Sequence, residues 1–170
     1  MTIRPIVKFG TQVLHEPAKT ITEFPDSFEE LVQDMLQTMY AAPGVGLAAT
    51  QIGLDIRLFV IDTASGEDPE QPIVMANPEI IEMKGEQREE EGCLSVPGHH
   101  GVVARPAWVK VRGQDIKGNE IVREGTGLLA RAFCHETDHL NGKLFVDRLG
   151  IVKRDLIKRK IRKLIKKGEW

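Results

Sequence analysis

The chain has little cysteine: Cys93 and Cys134 are the only two in 170 residues. That excludes a disulfide framework, and at this length a hydrophobic core suffices without one. No run of about 18 apolar residues occurs, which excludes a membrane-spanning helix. Met1-Thr-Ile-Arg-Pro-Ile-Val-Lys8 lacks the apolar core of a signal peptide, so a cytoplasmic location is expected. In that reducing setting both cysteines stay unpaired, and each needs its own explanation. Internal repeats, low-complexity segments and a composition break are also missing. A single domain over residues 1–170 is the expectation, with a monomer as the default.

Charge is ordinary in amount but uneven in place. The net of −2 conceals a tail, residues 151–170, with nine Lys/Arg against two Asp/Glu. An acidic body with a basic tail fits a polyanionic partner, and it fits a solvated, salt-bridged terminal helix equally well. Ile157, Ile161, Leu164 and Ile165 give the tail a helical apolar stripe, so a helix is expected at about 152–167.

Asp26 or Ser27, the latter with Glu30 as a capping box, opens a helix. Phe28, Leu31, Val32, Met35, Leu36 and Met39 carry it to about Tyr40 at core spacing, and Ala42-Pro43-Gly44 ends it. Gly44-Val-Gly46 lacks the third glycine of a dinucleotide fingerprint and the lysine of a phosphate loop. Taken alone, it and the nearby Gln51 read as a tight, packed connection. Ile56–Asp62 reads as a strand, as does Ile73–Asn77, stopped by Pro78, with Ile80, Ile81 and Met83 as a continuation. Lys110–Arg112 and Glu120–Arg123 flank the turn signal Asp115-Ile-Lys-Gly-Asn119, a hairpin.

Two stretches carry chemistry. His135-Glu136-Thr137-Asp138-His139 is a His-Glu-x-x-His pattern, which on a helix puts both imidazoles on one face. Leu128, Ala132, His135 and His139 continue that face, so the two histidines point inward with the apolar stripe. Glu136 stands where it can take a proton from a metal-activated water. Cys134 is turned about 100° away around the axis and is assigned to packing. The helix begins near Thr126 or Gly127 and is ended by Gly142. The second stretch is Glu89-Glu-Glu91-Gly92-Cys93-Leu94-Ser95. A lone cysteine is most often an inert buried hydrophobe, and the acidic residues upstream oppose a free thiolate. A divalent cation would reverse that balance.

Gly44-Val-Gly-Leu-Ala-Ala-Thr-Gln51, Glu91-Gly-Cys-Leu-Ser95 and His135-Glu-Thr-Asp-His-Leu140 together resemble peptide deformylase, in the family's order and separations, over nearly the whole chain. The resemblance implies a metal held by Cys93, His135 and His139, with one open position, as catalytic sites have. It implies Glu136 as general base and acid, and the Gln51 amide with the Leu94 N–H as oxyanion donors. It implies a substrate region at Val45, Gly46, Leu128 and Glu91, with the stem of Glu89 beside it. Arg131 and Ala132 stand where several relatives carry larger apolar residues, and His100 stands where many carry arginine. Arg105 is then expected to take part of that arginine's electrostatic load.

The implied reaction removes the formyl group from N-formyl-methionyl peptides and releases formate. Iron(II) is the first expectation for the metal, with zinc, nickel and cobalt also suited to one sulfur and two nitrogens. The ribosome is the implied partner of the basic tail. The implied fold is α+β, short antiparallel sheets packed around the central motif helix. Two other readings compete. An ordinary zinc peptidase would need a downstream ligand, for which only Asp147 and Asp155 are at hand. A nucleic-acid module with a structural metal would leave Glu136 and Gln51 without purpose.

Overall fold

A computed structural model describes residues 1–170. Three helices, α1 (Phe28–Ala41), α2 (Gly127–Leu140) and α3 (Ile151–Lys167), accompany seven strands. Strands β1 (Gly46–Ala48), β2 (Leu58–Ile61), β3 (Ile73–Lys84), β6 (Trp108–Gln114) and β7 (Glu120–Thr126) form one antiparallel sheet in the order β1-β2-β3-β6-β7. Strands β4 (Gln87–Gly92) and β5 (His100–Arg105) form a separate two-stranded ribbon. The fold is α+β, as expected. No helix is long and apolar enough to cross a membrane.

Strand β2 shows why the chain folds around this sheet. All four of its residues are buried, because alternate side chains serve opposite faces. Leu58 and Val60 join Val32, Met35, Leu36 and Met39 of α1. Phe59 and Ile61 join Ala130, Phe133, Cys134 and Leu140 of α2. Cys134 thus lies in the core as packing, and burial pushes its thiol up to about 11. A third cluster, with Val103, Phe145, Leu149, Ile157 and Ile161, joins α3 to β5 through the short turn Phe145–Arg148. Arg57 reaches from the sheet to cap α2, donating from Nη1 to the Leu140 carbonyl at 2.7 Å.

Two local expectations are corrected. The Ser27–Glu30 capping box does not form, because Ser27 itself adopts helical angles. Its place is taken by backbone bonds from Phe28 and Glu29 to the carbonyls of Pro25 and Asp26. Nor does Pro78 stop its strand. β3 runs through it to Lys84, with a register shift between Ala76 and Glu79 that absorbs the missing N–H. Asn77, at φ 50°, steadies the irregularity by donating to the Ile21 carbonyl and to Gln114.

Candidate metal centre and active-site cleft

The inward face of α2 meets the exit of β4 at a cleft of about 720 Å³. Cys93 leaves β4 where the ribbon ends, while His135 and His139 are successive turns of α2. The three ligand atoms lie within 4.8 Å of one another. Cys93 Sγ is 3.2 Å from His139 Nε2, close to the edge of roughly 3.5 Å that a tetrahedral site with usual metal–sulfur and metal–nitrogen bonds requires. The cysteine, open to a packing role on sequence grounds, therefore faces both histidines.

Charge at this corner suits a cation. Burial opposes a positive charge on His135, but Cys93 and Glu91 outweigh it and raise its pKa well above the usual value. Burial and the neighbouring His135 hold His139 well below its usual pKa, leaving a neutral imidazole. His135 Nδ1 lies 3.0 Å from Glu91 Oε1, so it donates there and turns Nε2 toward the thiol. Donor set and spacing both fit a divalent ion.

Behind His135 stands a chain of four charges, three of them buried and the last, Arg148, at the surface. Glu91 accepts two bonds from Arg105, at 2.9 Å from Nε and 3.0 Å from Nη2. Arg105 Nη1 donates to Asp138 at 2.6 Å, and Arg148 makes two further bonds to the same carboxylate. Burial would raise the Glu91 carboxyl, but His135 and Arg105 prevail and hold it down at about 2. Glu91 borders the cleft, yet both of its oxygens are taken by His135 and Arg105. Asp138 and Arg148 were missed in the sequence; Asp138, inside the motif itself, offered the only signal.

Glu136 lies beside the ligands and is 3% exposed; burial pushes its carboxyl up to about 7. Its Oε2 has no hydrogen-bond partner. The approach of β1 explains Gly46: a Cβ there would stand 2.6 Å from Glu136 Oε1. Gln51 sits in the short 3₁₀ turn after β1, fully buried. Its Oε1 accepts from the Ala48 N–H at 3.0 Å, which fixes the amide so that Nε2 faces Ser95 Oγ at 3.2 Å and Cys93 Sγ at 3.6 Å. The Leu94 N–H is engaged by no backbone carbonyl.

Val45, Gly46, Leu128 and Glu91 all border this cleft, as do Gln51, Leu94, Arg131 and Ala132. Glu89 does not. It lies one pleat repeat further along β4, and the lining begins at Glu90. His100 also borders the cleft, and Gly92 accommodates it, since a Cβ there would stand 2.7 Å from His100 Cδ2. Arg105 is the buried guanidinium of the region. The downstream acids lie elsewhere: Asp147 accepts from the Leu144 N–H and Lys158, and Asp155 pairs with Arg154.

An α+β scaffold with a Cys-His-His cluster and a buried glutamate at an open cleft defines a hydrolase class. The sequence profile described as polypeptide deformylase matches residues 3–155. A peptide deformylase of Acidobacterium capsulatum is 51% identical over 170 residues, covering 100% of both chains. The crystal structure of a peptide deformylase from Legionella pneumophila superposes with a TM-score of 0.89 at 45% identity, covering 98% of each chain. One from Synechococcus elongatus, in complex with actinonin, gives 0.85 at 40% identity, covering 96% of this chain and 86% of that one. The chain belongs to the peptide deformylase family, enzymes that remove the N-formyl group from nascent peptides.

Proposed function

We propose that this protein hydrolyses the formyl amide of N-formyl-methionyl peptides through a divalent ion held by Cys93, His135 and His139. Iron(II) is the first choice, and zinc, nickel and cobalt also suit the donor set. When bound, the ion supplies Lewis acidity, making water acidic and polarising the formyl carbonyl. Glu136 accepts the proton of the attacking water and delivers it to the leaving amine, a role suited to a carboxyl raised to about 7. The Gln51 Nε2 amide and the Leu94 N–H stabilise the oxyanion that develops on the formyl oxygen. Val45, Gly46 and Leu128 receive the substrate, and Glu91 holds His135 in the required tautomer. The protein acts as a single-domain cytoplasmic monomer, with α3 as its contact to the ribosome.

The observation that carries this reading is the meeting of Cys93, His135 and His139 with the Gln51 amide 3.6 Å from the sulfur. The test is formate release from formyl-Met-Ala-Ser by anaerobically loaded protein. Glu136→Ala is expected to retain the metal and to lower turnover by about 10²–10⁴-fold. Gln51→Leu is expected to lose about 10²–10³-fold in kcat. Near-normal turnover by the Glu136 variant would sink the mechanism. Actinonin, present in the S. elongatus complex, is expected to compete with the peptide.

A further inference from the structure

One charged side chain in the cleft wall has no part in the chemistry above. Arg131 lies one helical turn from both Leu128 and His135, on the face of α2 that borders the cleft. Its side chain spans from α2 to β4, where Nη2 donates to the Glu90 carbonyl at 3.0 Å. Its one ion-pair neighbour is Glu91 Oε2, at 3.9 Å from Nε and without a hydrogen bond. Glu91 is already committed to Arg105 and His135, so the Arg131 charge is not closely neutralised. Nη1 donates to nothing in the protein, and the side chain is 17% exposed. The result is a pinned guanidinium with an unengaged Nη1, in the wall of the cleft that Val45, Leu128 and Ala132 also line.

We infer that Arg131 is a specificity-determining residue that lets the cleft accept an oxidised first residue, N-formyl-methionine sulfoxide, alongside N-formyl-methionine. The inference rests on the deformylase reading and concerns the same site. The (CH₂)₃ stem of Arg131 supplies apolar wall for a thioether side chain. A sulfoxide has the same chain length plus a strong acceptor and a stereocentre. In a wholly apolar pocket that acceptor would lose its water without replacement, whereas a fixed guanidinium offers a charge-assisted hydrogen bond. A donor fixed on one wall also favours one sulfoxide epimer over the other. The reaction is unchanged: water adds, the formyl C–N bond breaks, and formate and the free amine leave.

The test compares kcat/KM for formyl-Met-Ala-Ser with that for each separated sulfoxide epimer, using the loaded full-length protein. Wild type is expected to process one epimer within about tenfold of the methionine peptide. Arg131→Leu is expected to lower the ratio of kcat/KM for that epimer to kcat/KM for the methionine peptide by a further tenfold or so, up to about a hundredfold, whatever the change on the methionine peptide itself. Losses of metal or folded protein scale both substrates alike, so the ratio reports the pocket alone. Arg131→Met, of similar length and without a donor, gives the same comparison should the leucine variant fail to fold. An unchanged ratio in either variant overturns the inference, as does rejection of both epimers by wild type. Failure of the deformylase reading looks different: no formate from any of the three peptides, which removes this inference with it.

Discussion

Helices α2 and α3 are close in length and opposite in character. Nine of the 14 residues of α2 are buried, and they include Glu136, Thr137, Asp138 and His139. Of the 17 residues of α3 only Ile157 and Ile161 are buried, and its Lys/Arg side chains face solvent or surface partners. The Asp138 carboxylate is compensated for its burial in α2 by Arg105 and Arg148, whereas Glu136 Oε2, Thr137 Oγ1 and His139 Nδ1 have no partner in the protein. Any change of partner in α2 is therefore felt through the whole site. Position by position, α3 is far more permissive, since solvated charges contribute little to folding.

The largest effect should come from breaking the α2 side of that contrast at Glu91. Its carboxylate joins His135 to Arg105, and the Glu91 and Arg105 side chains are 5% and 2% exposed. Glu91→Ala leaves Arg105 with Asp138 alone and His135 without an acceptor. A loss of about 3–5 kcal/mol in unfolding free energy is expected, read by urea titration. Metal affinity should also fall by about 10–100-fold, read by competition with a chelator. A variant with wild-type stability and affinity would show that the chain of four charges is incidental.

Legibility in the sequence divides along the same line. α2 was readable because His135, His139 and the apolar Leu128 and Ala132 share one helical period. α3 was readable because Ile157 and Ile161 recur at the same spacing between lysines. The β4–β5 ribbon was not read as a pair of strands. Glu89, Glu90 and Glu91 show no apolar alternation, and only Glu91 of the three turns inward, to an arginine no pattern could assign to it. Asp138 and Arg148 escaped for a related reason: hydrophobic periodicity marks apolar burial and is silent about paired charges. Pro78 misled because its missing N–H is absorbed by a bulge. The role of Cys93 came from family likeness; its own surroundings in the sequence argued against a thiolate.

An intermediate effect is expected where α3 ends. The Trp170 indole N–H donates to the Phe9 carbonyl at 2.8 Å, its ring packs near His99, and Lys8 Nζ lies 5.7 Å from the ring centroid. Phe9 in turn donates its N–H to the Ser95 carbonyl, beside the cleft. Trp170→Ala should cost roughly 1–2 kcal/mol through the lost hydrogen bond and ring contacts. Hydrogen exchange should speed up in the last turns of α3 while α2 stays protected. Equal loss of protection in both helices would mean that the two unfold as one unit and that their contrast is only one of composition.

The smallest effect on the fold, and the most selective on partners, should follow from neutralising the outward lysines of α3. Lys153, Lys160, Lys163 and Lys167 are exposed, whereas Lys158 is held to Asp147 and is best left in place. Replacing the four by glutamine should change stability by no more than about 0.5 kcal/mol per site. Formate release from a short formyl peptide should stay at the wild-type level, because none of the four borders the cleft. Ribosome affinity, if α3 is the contact, should fall and lose salt dependence, with the slope of log K against log salt reduced by up to about three units. A slope that does not move would remove RNA from the role of α3 and leave its lysines as solvating charge. A drop in peptide turnover instead would mean that α3 reaches the metal centre through Arg148 and Asp138, which would undo the division between the two helices.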